Sequence, residues 1–113
     1  MKFNMQEARL DGSGILWCPL CRENYLHQAN TTIFVRKEDA KTTTVIAQNG
    51  DTAQVTKFPS ADTCNPSSRR HGLVIEFECE MCHGELEGGK ENTLSPFQLA
   101  IFQHKGNTYV EWV

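Results

Sequence analysis

Two Cys-x-x-Cys pairs constrain this chain more than any other feature: Cys18-Pro19-Leu20-Cys21 and Cys79-Glu80-Met81-Cys82. Two residues between cysteines allow a tight turn that directs both sulfurs to one metal ion, and a structural zinc site takes four such ligands at about 2.3 Å. Pro19 suits the first turn because its ring fixes φ. Because 57 residues separate the pairs, the metal would close a long loop around an inserted β-sheet. The pattern therefore predicts one structural Zn²⁺ held by Cys18, Cys21, Cys79 and Cys82.

The composition favours metal binding over disulfides. The chain has 113 residues, enough for one domain with a modest core, and its five cysteines are an odd number. Residues 1–9 lack the apolar stretch of a secretory signal, and no run approaches the roughly 18 apolar residues that a membrane span requires. We therefore expect a cytoplasmic protein without membrane association, because reducing conditions there keep thiols available for metal ligation.

The cysteines leave other chemistries open. Cys79-Glu80-Met81-Cys82-His83 matches the haem-attachment pattern, although that chemistry belongs to exported proteins. The first pair could act as a redox dithiol, but no βαβ pattern surrounds it. His27 or His83 could replace a cysteine as a zinc ligand, with His83 more typical of a residue beside the site. Cys64, in a polar loop, is interpreted as a free thiol with no paired base.

The rest of the sequence predicts an all-β, mainly antiparallel fold. Strand-forming residues occur in short runs separated by polar turns, and no 3.6-residue periodicity is sustained. Asn49-Gly50-Asp51 predicts the turn of an inserted β-hairpin, because Asn and Gly tolerate positive φ. His104-Lys105-Gly106-Asn107 predicts the turn of a C-terminal hairpin. The predicted elements are strands at 31–36, 42–48, 52–58, 73–80, 97–103 and 108–113, loops at 59–72 and 83–95, a flexible N-terminal arm at 1–14, and a single zinc-ribbon-like domain at 15–113.

The segment from Leu73 to Glu80 has the clearest strand pattern, and apolar and acidic residues alternate from Ile75 to Glu80. This alternation predicts that the strand brings the second cysteine pair from the core side and shows an acidic stripe to water. The core-facing set is Leu73, Ile75, Phe77 and Cys79, and the water-facing set is Glu76, Glu78 and Glu80.

The charge distribution limits the choice of partners. The formal net charge is −3, and residues 71–113 hold two Lys/Arg against seven Asp/Glu. A general nucleic-acid binder is usually basic, so this balance favours a protein partner. The densest basic group, Arg69 with Arg70, has two interpretations: a grip on phosphate or on an acidic protein surface, or pairing with the domain's own carboxylates, such as Glu76 or Glu78.

Five segments carry a resemblance: Trp17-Cys18-Pro19-Leu20-Cys21, Tyr25-Leu26-His27, residues 65–70 (Asn-Pro-Ser-Ser-Arg-Arg), residues 77–82 (Phe-Glu-Cys-Glu-Met-Cys) and residues 103–112 (Gln-His-Lys-Gly-Asn-Thr-Tyr-Val-Glu-Trp). Together they resemble a group of small, uncharacterised bacterial proteins that are often associated with phages and other mobile elements. The resemblance covers most of residues 17–112. It implies a zinc-ribbon-like β fold without an established activity, and it makes 65–70 and 103–106 the best interaction candidates.

The sequence therefore predicts a non-catalytic, structural-zinc protein that binds another protein as an accessory or inhibitory factor of a phage or mobile element. No enzyme is expected, because four cysteine ligands leave no open metal position and no acid–base pair can be named. The alternative is a nucleic-acid-binding zinc ribbon that uses Arg36, Lys37, Arg69, Arg70 and Lys105. The candidate partner-binding residues are Arg69, Arg70, His104 and Lys105.

Overall fold

The computed structural model describes residues 10, 12–19, 23, 25–80 and 97–113. These residues form one six-stranded antiparallel sheet, which confirms the predicted all-β class. Two of the predicted zinc ligands, Cys21 and Cys82, lie outside the described residues. So do His83, the predicted loop at 83–95, and residues 1–9 and 11 of the predicted arm.

The strand order is β3-β2-β1-β4-β5-β6, so β1 and β4 are central while β3 and β6 form the edges. Apart from the strands, the described residues contain a single 3₁₀ turn, Ser60–Asp62. No helix in this described part is long and apolar enough to cross a membrane. The strands are β1 Leu26–Val35, β2 Thr42–Asn49, β3 Thr52–Pro59, β4 Gly72–Cys79, β5 Phe97–His104 and β6 Asn107–Trp112.

Strand β1 begins at Leu26, earlier than the predicted residue 31. The added residues have weak strand propensity, but they pair with the C-terminal half of β4, where Leu26 lies opposite Cys79. An irregularity between Gln28 and Thr31 adjusts the register along the strand. Pairing with β4 therefore overrides local propensity in this segment.

Both predicted hairpins are confirmed, and their turns differ. In β2–β3, Asn49 pairs with Thr52, so the two turn residues are Gly50-Asp51, and only Gly50 has positive φ (63°). This is the φ pattern of a type II′ turn. In β5–β6 the turn residues are Lys105-Gly106, and both have positive φ (52° and 84°), which is the type I′ pattern.

Both faces of the sheet carry apolar residues. The face that carries Cys79, which we call the apolar face, has a continuous aliphatic row, whereas the opposite face combines Phe34, Ala100 and Phe102 with the acidic residues of β4. Residues directly opposite one another on antiparallel strands project to the same face, so the register defines rows across the sheet. On the apolar face, which carries Cys79, every strand contributes an aliphatic residue to one row. That row is Val55, Ile46, Ile33, Leu73, Ile101 and Val110.

The opposite face of the sheet carries the predicted acidic stripe of β4, with one difference. Glu78 and Glu80 are exposed, as predicted. Glu76 lies on the predicted face but is only partly exposed, and its carboxylate accepts a hydrogen bond from Asn30 Nδ2 at 3.0 Å. Asn30 belongs to the part of β1 that the sequence did not predict, so this contact could not be foreseen from the alternation in β4.

The loop between β3 and β4 packs at Gly72 onto the face opposite Cys79, where Phe34 and Phe102 flank Gly72 on the neighbouring strands. A Cβ atom on Gly72 would overlap Asn65 Oδ1 and would lie 2.9 Å from Pro66 Cδ. The Asn65 side chain is itself held, because Oδ1 accepts from the Ser67 amide (2.9 Å) and Nδ2 donates to the Arg70 carbonyl (2.8 Å). Gly72 thus allows the loop to lie directly on the sheet.

Gly72→Ala should destabilise the fold, because the added methyl group would push against Asn65 and Pro66. We expect the free energy of unfolding to fall by about 1–3 kcal/mol, as in other overpacked sites, when measured by urea denaturation. Gly12→Ala is the matched control, since no atom lies within 4 Å of its added Cβ. Equal stability of the two variants would show that the loop does not depend on this close approach.

Candidate metal centre and interaction cleft

The fold brings one cysteine of each Cys-x-x-Cys pair into the same core. Cys18 and Cys79 are 1% and 2% exposed, and they belong to one buried cluster. Trp112 completes this core, and its ring meets those of Phe77 and Phe97 edge-on, with ring centroids 6.0 and 6.3 Å apart. The cluster consists of Cys18, Cys79, Phe97, Leu99 and Trp112, with Leu16, Leu26 and Phe77 packed against it.

Backbone hydrogen bonds fix where each cysteine lies. The Cys18 amide donates to the Glu23 carbonyl at 2.8 Å, which holds together the two ends of the segment that carries the first pair. Cys79 ends β4, and the Glu80 amide donates to the Tyr25 carbonyl at 3.0 Å. The second pair is therefore tied to the chain segment that enters β1.

Cys18 and Cys79 are two of the four ligands that the sequence predicts for a structural zinc site. Apolar neighbours exclude water from the thiols, and such a shell governs solvent access at metal centres. Within residues 10, 12–19, 23, 25–80 and 97–113, no group of three or more His, Cys, Asp or Glu side chains could hold a metal ion. The predicted set needs Cys21 and Cys82, which lie beyond those residues.

The other candidate ligands and thiols lie elsewhere. The His27 ring is exposed and lies 3.0 Å from a carboxylate oxygen of Glu80, inside the second Cys-x-x-Cys pair. This contact places His27 beside the second pair rather than in the cysteine core. Cys64 is exposed in the loop between β3 and β4, as expected for a free thiol.

At the opposite end of β4, the four predicted partner-binding residues come together. Arg69 and Arg70 precede β4, whereas His104 and Lys105 end β5 and begin its turn. All four line one surface cleft of about 240 Å³, together with Glu38, Ser68, Gln103 and Gly106. We call this the basic cleft. The sequence had marked the two segments separately, and the fold makes them one surface.

Ser67 joins the two walls of the basic cleft. It is 3% exposed, and its hydroxyl donates to the Gln103 carbonyl at 2.9 Å. The same oxygen accepts from the Arg70 amide at 3.0 Å. A small hydroxyl residue suits this position because it can donate to one wall and accept from the other.

The two arginines pair within the domain, but not with the glutamates that the sequence suggested. Arg69 donates to both carboxylate oxygens of Asp39, at 2.8 and 2.7 Å, and to Glu38 at 3.0 Å. Arg70 donates to the other Glu38 oxygen at 2.7 Å. The predicted pairing with Glu76 or Glu78 is wrong, because the turn that follows β1 lies closer to the arginines than the acidic face of β4 does.

Residues 37–41 are a charged run directly after the predicted strand at 31–36, and nothing in the sequence signals that they meet residues 69–70. Backbone contacts hold this turn in place. Asp39 has φ of 57° and its amide donates to the Arg69 carbonyl at 2.9 Å. Arg36 donates through Nε to the Ala40 carbonyl (2.8 Å) and through Nη1 to the Ser68 carbonyl (3.0 Å). Arg36 is therefore engaged in the loop structure.

The ion pairs shift two pKa values in opposite directions. The hydrogen bond from Arg69 is the main cause that lowers the pKa of Asp39 below its ordinary value of 3.8, and the charge of Arg69 adds to it. The hydrogen bond to Asp39, with its negative charge, raises the pKa of the Arg69 guanidinium. Both groups therefore stay charged over the whole physiological range.

Lys105 projects from the tip of the β5–β6 hairpin with a left-handed backbone (φ 52°), which non-glycine residues rarely adopt. Within the described residues it makes no ion pair. Beside it, His104 stacks edge-on against Tyr109, with ring centroids 6.1 Å apart. The basic cleft and its ion pairs thus contain three cationic side chains, Arg69, Arg70 and Lys105, and two carboxylates, Glu38 and Asp39. The local excess of positive charge contrasts with the net charge of −3 for the whole chain.

These features define an all-β protein with a cysteine core at one end of the sheet and a basic cleft at the other. Comparison of the chain with protein-family models, with curated proteins and with solved structures finds no match in any of the three.

Asp39→Asn should reduce stability at neutral pH and have a smaller effect in acid. A carboxylate with a depressed folded-state pKa contributes stability above its unfolded pKa, and the contribution is lost as the pH falls through the folded pKa. We expect the difference in unfolding free energy between wild type and variant to shrink below about pH 4, in urea titrations across a pH series. Asp51→Asn, in the β2–β3 turn, is the control. A difference that stays constant with pH would contradict the ion-pair assignment.

Lys105→Asn should stabilise the hairpin, because Asn followed by Gly is favoured where both turn residues need positive φ. We expect a gain of about 0.5–1 kcal/mol from the relief of left-handed strain, measured by urea denaturation. Lys37→Asn removes the same charge at an exposed position with negative φ and serves as the control. Loss of stability in Lys105→Asn would indicate that the lysine side chain makes a stabilising contact.

Proposed function

We propose that this protein is a non-catalytic, zinc-stabilised β domain of the zinc-ribbon type, and that it binds another protein through its basic cleft. One structural Zn²⁺ is held by Cys18, Cys21, Cys79 and Cys82. The observation that carries the proposal is the convergence of Arg69, Arg70, His104 and Lys105 on that one cleft.

The zinc site is supported by the position of the two cysteines that the structure describes. Cys18 and Cys79 are far apart in sequence, yet both are buried in one cluster. Two Cys-x-x-Cys pairs at ligand spacing supply the four thiolates of a closed tetrahedral site. Such a metal stabilises the fold, because it cross-links the entry to β1 with the end of β4.

A protein partner is supported by the confined extent of the positive charge. The basic cleft lies in an acidic chain, and Arg36 already donates to carbonyl groups of the protein itself. Nucleic-acid binding usually draws on a wide basic surface that neutralises several phosphates. The resemblance to proteins of phages and mobile elements supports a role as a cytoplasmic accessory or inhibitory factor.

Cys79→Ser should release the zinc and unfold much of the domain, because the remaining thiolates cannot hold the ion and binding contributes to folding. Native mass spectrometry with metal analysis is expected to give one zinc per wild-type chain and none in the variant. Cys64→Ser, at the exposed thiol, should keep its zinc and its stability. A Cys79→Ser protein folded as stably as wild type would refute a structural site.

The partner proposal is tested by affinity capture from host lysate with the zinc-loaded protein as bait. A protein retained by wild type and by Lys57→Ala, but lost with Arg70→Ala, would support the basic cleft as the binding surface. Lys57 is a fair control because it lies exposed on the edge strand β3 and carries the same charge. Capture unaffected by Arg70→Ala would contradict the proposal.

A further inference from the structure

We infer that the basic cleft recognises a protein segment with adjacent acidic residues, and that Glu38 and Asp39 occupy this site in the free protein. The inference rests on the proposed function, since it names the chemistry of the partner that the cleft binds. The inference follows from the ion pairs that Arg69 and Arg70 make with carboxylates of the same chain.

The arginines already bind two neighbouring carboxylates. Arg69 grips Asp39 through Nε and Nη2, at 2.8 and 2.7 Å, in the bidentate arrangement that guanidinium and carboxylate groups favour. The two oxygens of Glu38 are divided between Arg69 and Arg70, at 3.0 and 2.7 Å. The spacing of the guanidinium groups therefore fits an acidic pair that is consecutive in sequence.

These internal ion pairs are open to exchange. The side chains of Arg69 and Arg70 are 58% and 51% exposed, and that of Glu38 is 47% exposed. Ion pairs at such exposure contribute little net stability, because water solvates the separated charges well. An incoming carboxylate can therefore replace Glu38 at small cost to the fold.

The cleft also has binding capacity that Glu38 and Asp39 do not use. Among the described residues, the one carboxylate hydrogen bond from Arg70 is made by Nη2, although a guanidinium has five N–H donors. Lys105 lines the same cleft and has no ion pair within the described residues. A partner with acidic residues would meet Arg70 and Lys105 together, whereas the internal carboxylates reach only the arginines.

A polyanion of the nucleic-acid type fits less well. The cleft has a volume of only about 240 Å³, and its three cations are clustered rather than spaced along a track. Within its walls lies Glu38, which would repel phosphates that follow one another along a strand. A short acidic peptide needs only the local cluster.

The test measures binding of a fluorescently labelled peptide, Gly-Ser-Glu-Asp-Glu-Asp-Ser-Gly, to the zinc-loaded full chain by anisotropy at low salt. Glu38→Gln removes the internal competitor while keeping the side-chain shape, so we expect affinity to rise about threefold, the scale of an exposed ion pair. Glu78→Gln, an exposed glutamate on β4, makes the same charge change away from the cleft and is the matched control.

Arg70→Ala and Lys105→Ala should each weaken peptide binding by about fivefold, the upper end for a single exposed ion pair, while Lys57→Ala should not. Zinc content and thermal unfolding, measured for every variant, establish that each one is folded. Equal affinity in Glu38→Gln and Glu78→Gln would overturn the inference. Tighter binding of a single-stranded 12-mer oligonucleotide than of the peptide would also overturn it.

The same variants separate this inference from the proposed function. If lysate capture depends on Arg70 but the acidic peptide does not bind, the cleft binds a protein by other chemistry, and the inference alone is wrong. If capture does not depend on Arg70, the proposed function fails as well. Peptide binding that rises with Glu38→Gln and falls with Arg70→Ala would support both.

Discussion

The pairing of β1 with β4 is the interaction on which the rest of the structure depends. Within the described part of the chain, their ladder is the one connection by strand pairing between β1–β3 and β4–β6. At one end of the pair, Leu26 lies opposite Cys79 and brings the cysteine core together. At the other end, Phe34 lies opposite Gly72, and the Arg36 amide donates to His71 Nδ1 at 2.9 Å. Both candidate sites are therefore products of one strand pairing.

Different interactions stabilise the cysteine core and the basic cleft, which lie at opposite ends of the β1–β4 pair. The cysteine end relies on burial of aromatic and aliphatic side chains, which is non-directional and grows with the apolar area removed from water. The cleft end relies on directed polar contacts, in which Ser67 and Asn65 fix backbone groups while solvent-exposed ion pairs complete the surface. Exposed pairs add little stability but orient the charges, so this end can exchange partners without unfolding the sheet.

The strands and hairpin turns that depend on local sequence patterns were predicted correctly. Features that depend on contacts between distant parts of the chain were not. The alternation around Phe77 and the turn signals at Gly50 and Gly106 are local, and the strands and hairpins they predicted are present. The first half of β1 has no such signal and forms because β4 is beside it. The arginine segment was recognised as an interaction candidate, but its pairing with Glu38 depends on a turn about thirty residues away, which no local rule brings near.

The single strand β4 links both sites, so the proposed zinc ion would also help to select the correct register of this strand. Eight residues of extended chain, roughly 26 Å long, run from the loop that carries the arginines to the second cysteine pair. Alternation means that a slip by one residue would turn every side chain of β4 to the other face. Cys79 would then leave the apolar core and the proposed four-thiolate set would be broken. Zinc binding would thus favour the one register that also builds the basic cleft, so that metal loading and correct strand alignment are achieved together.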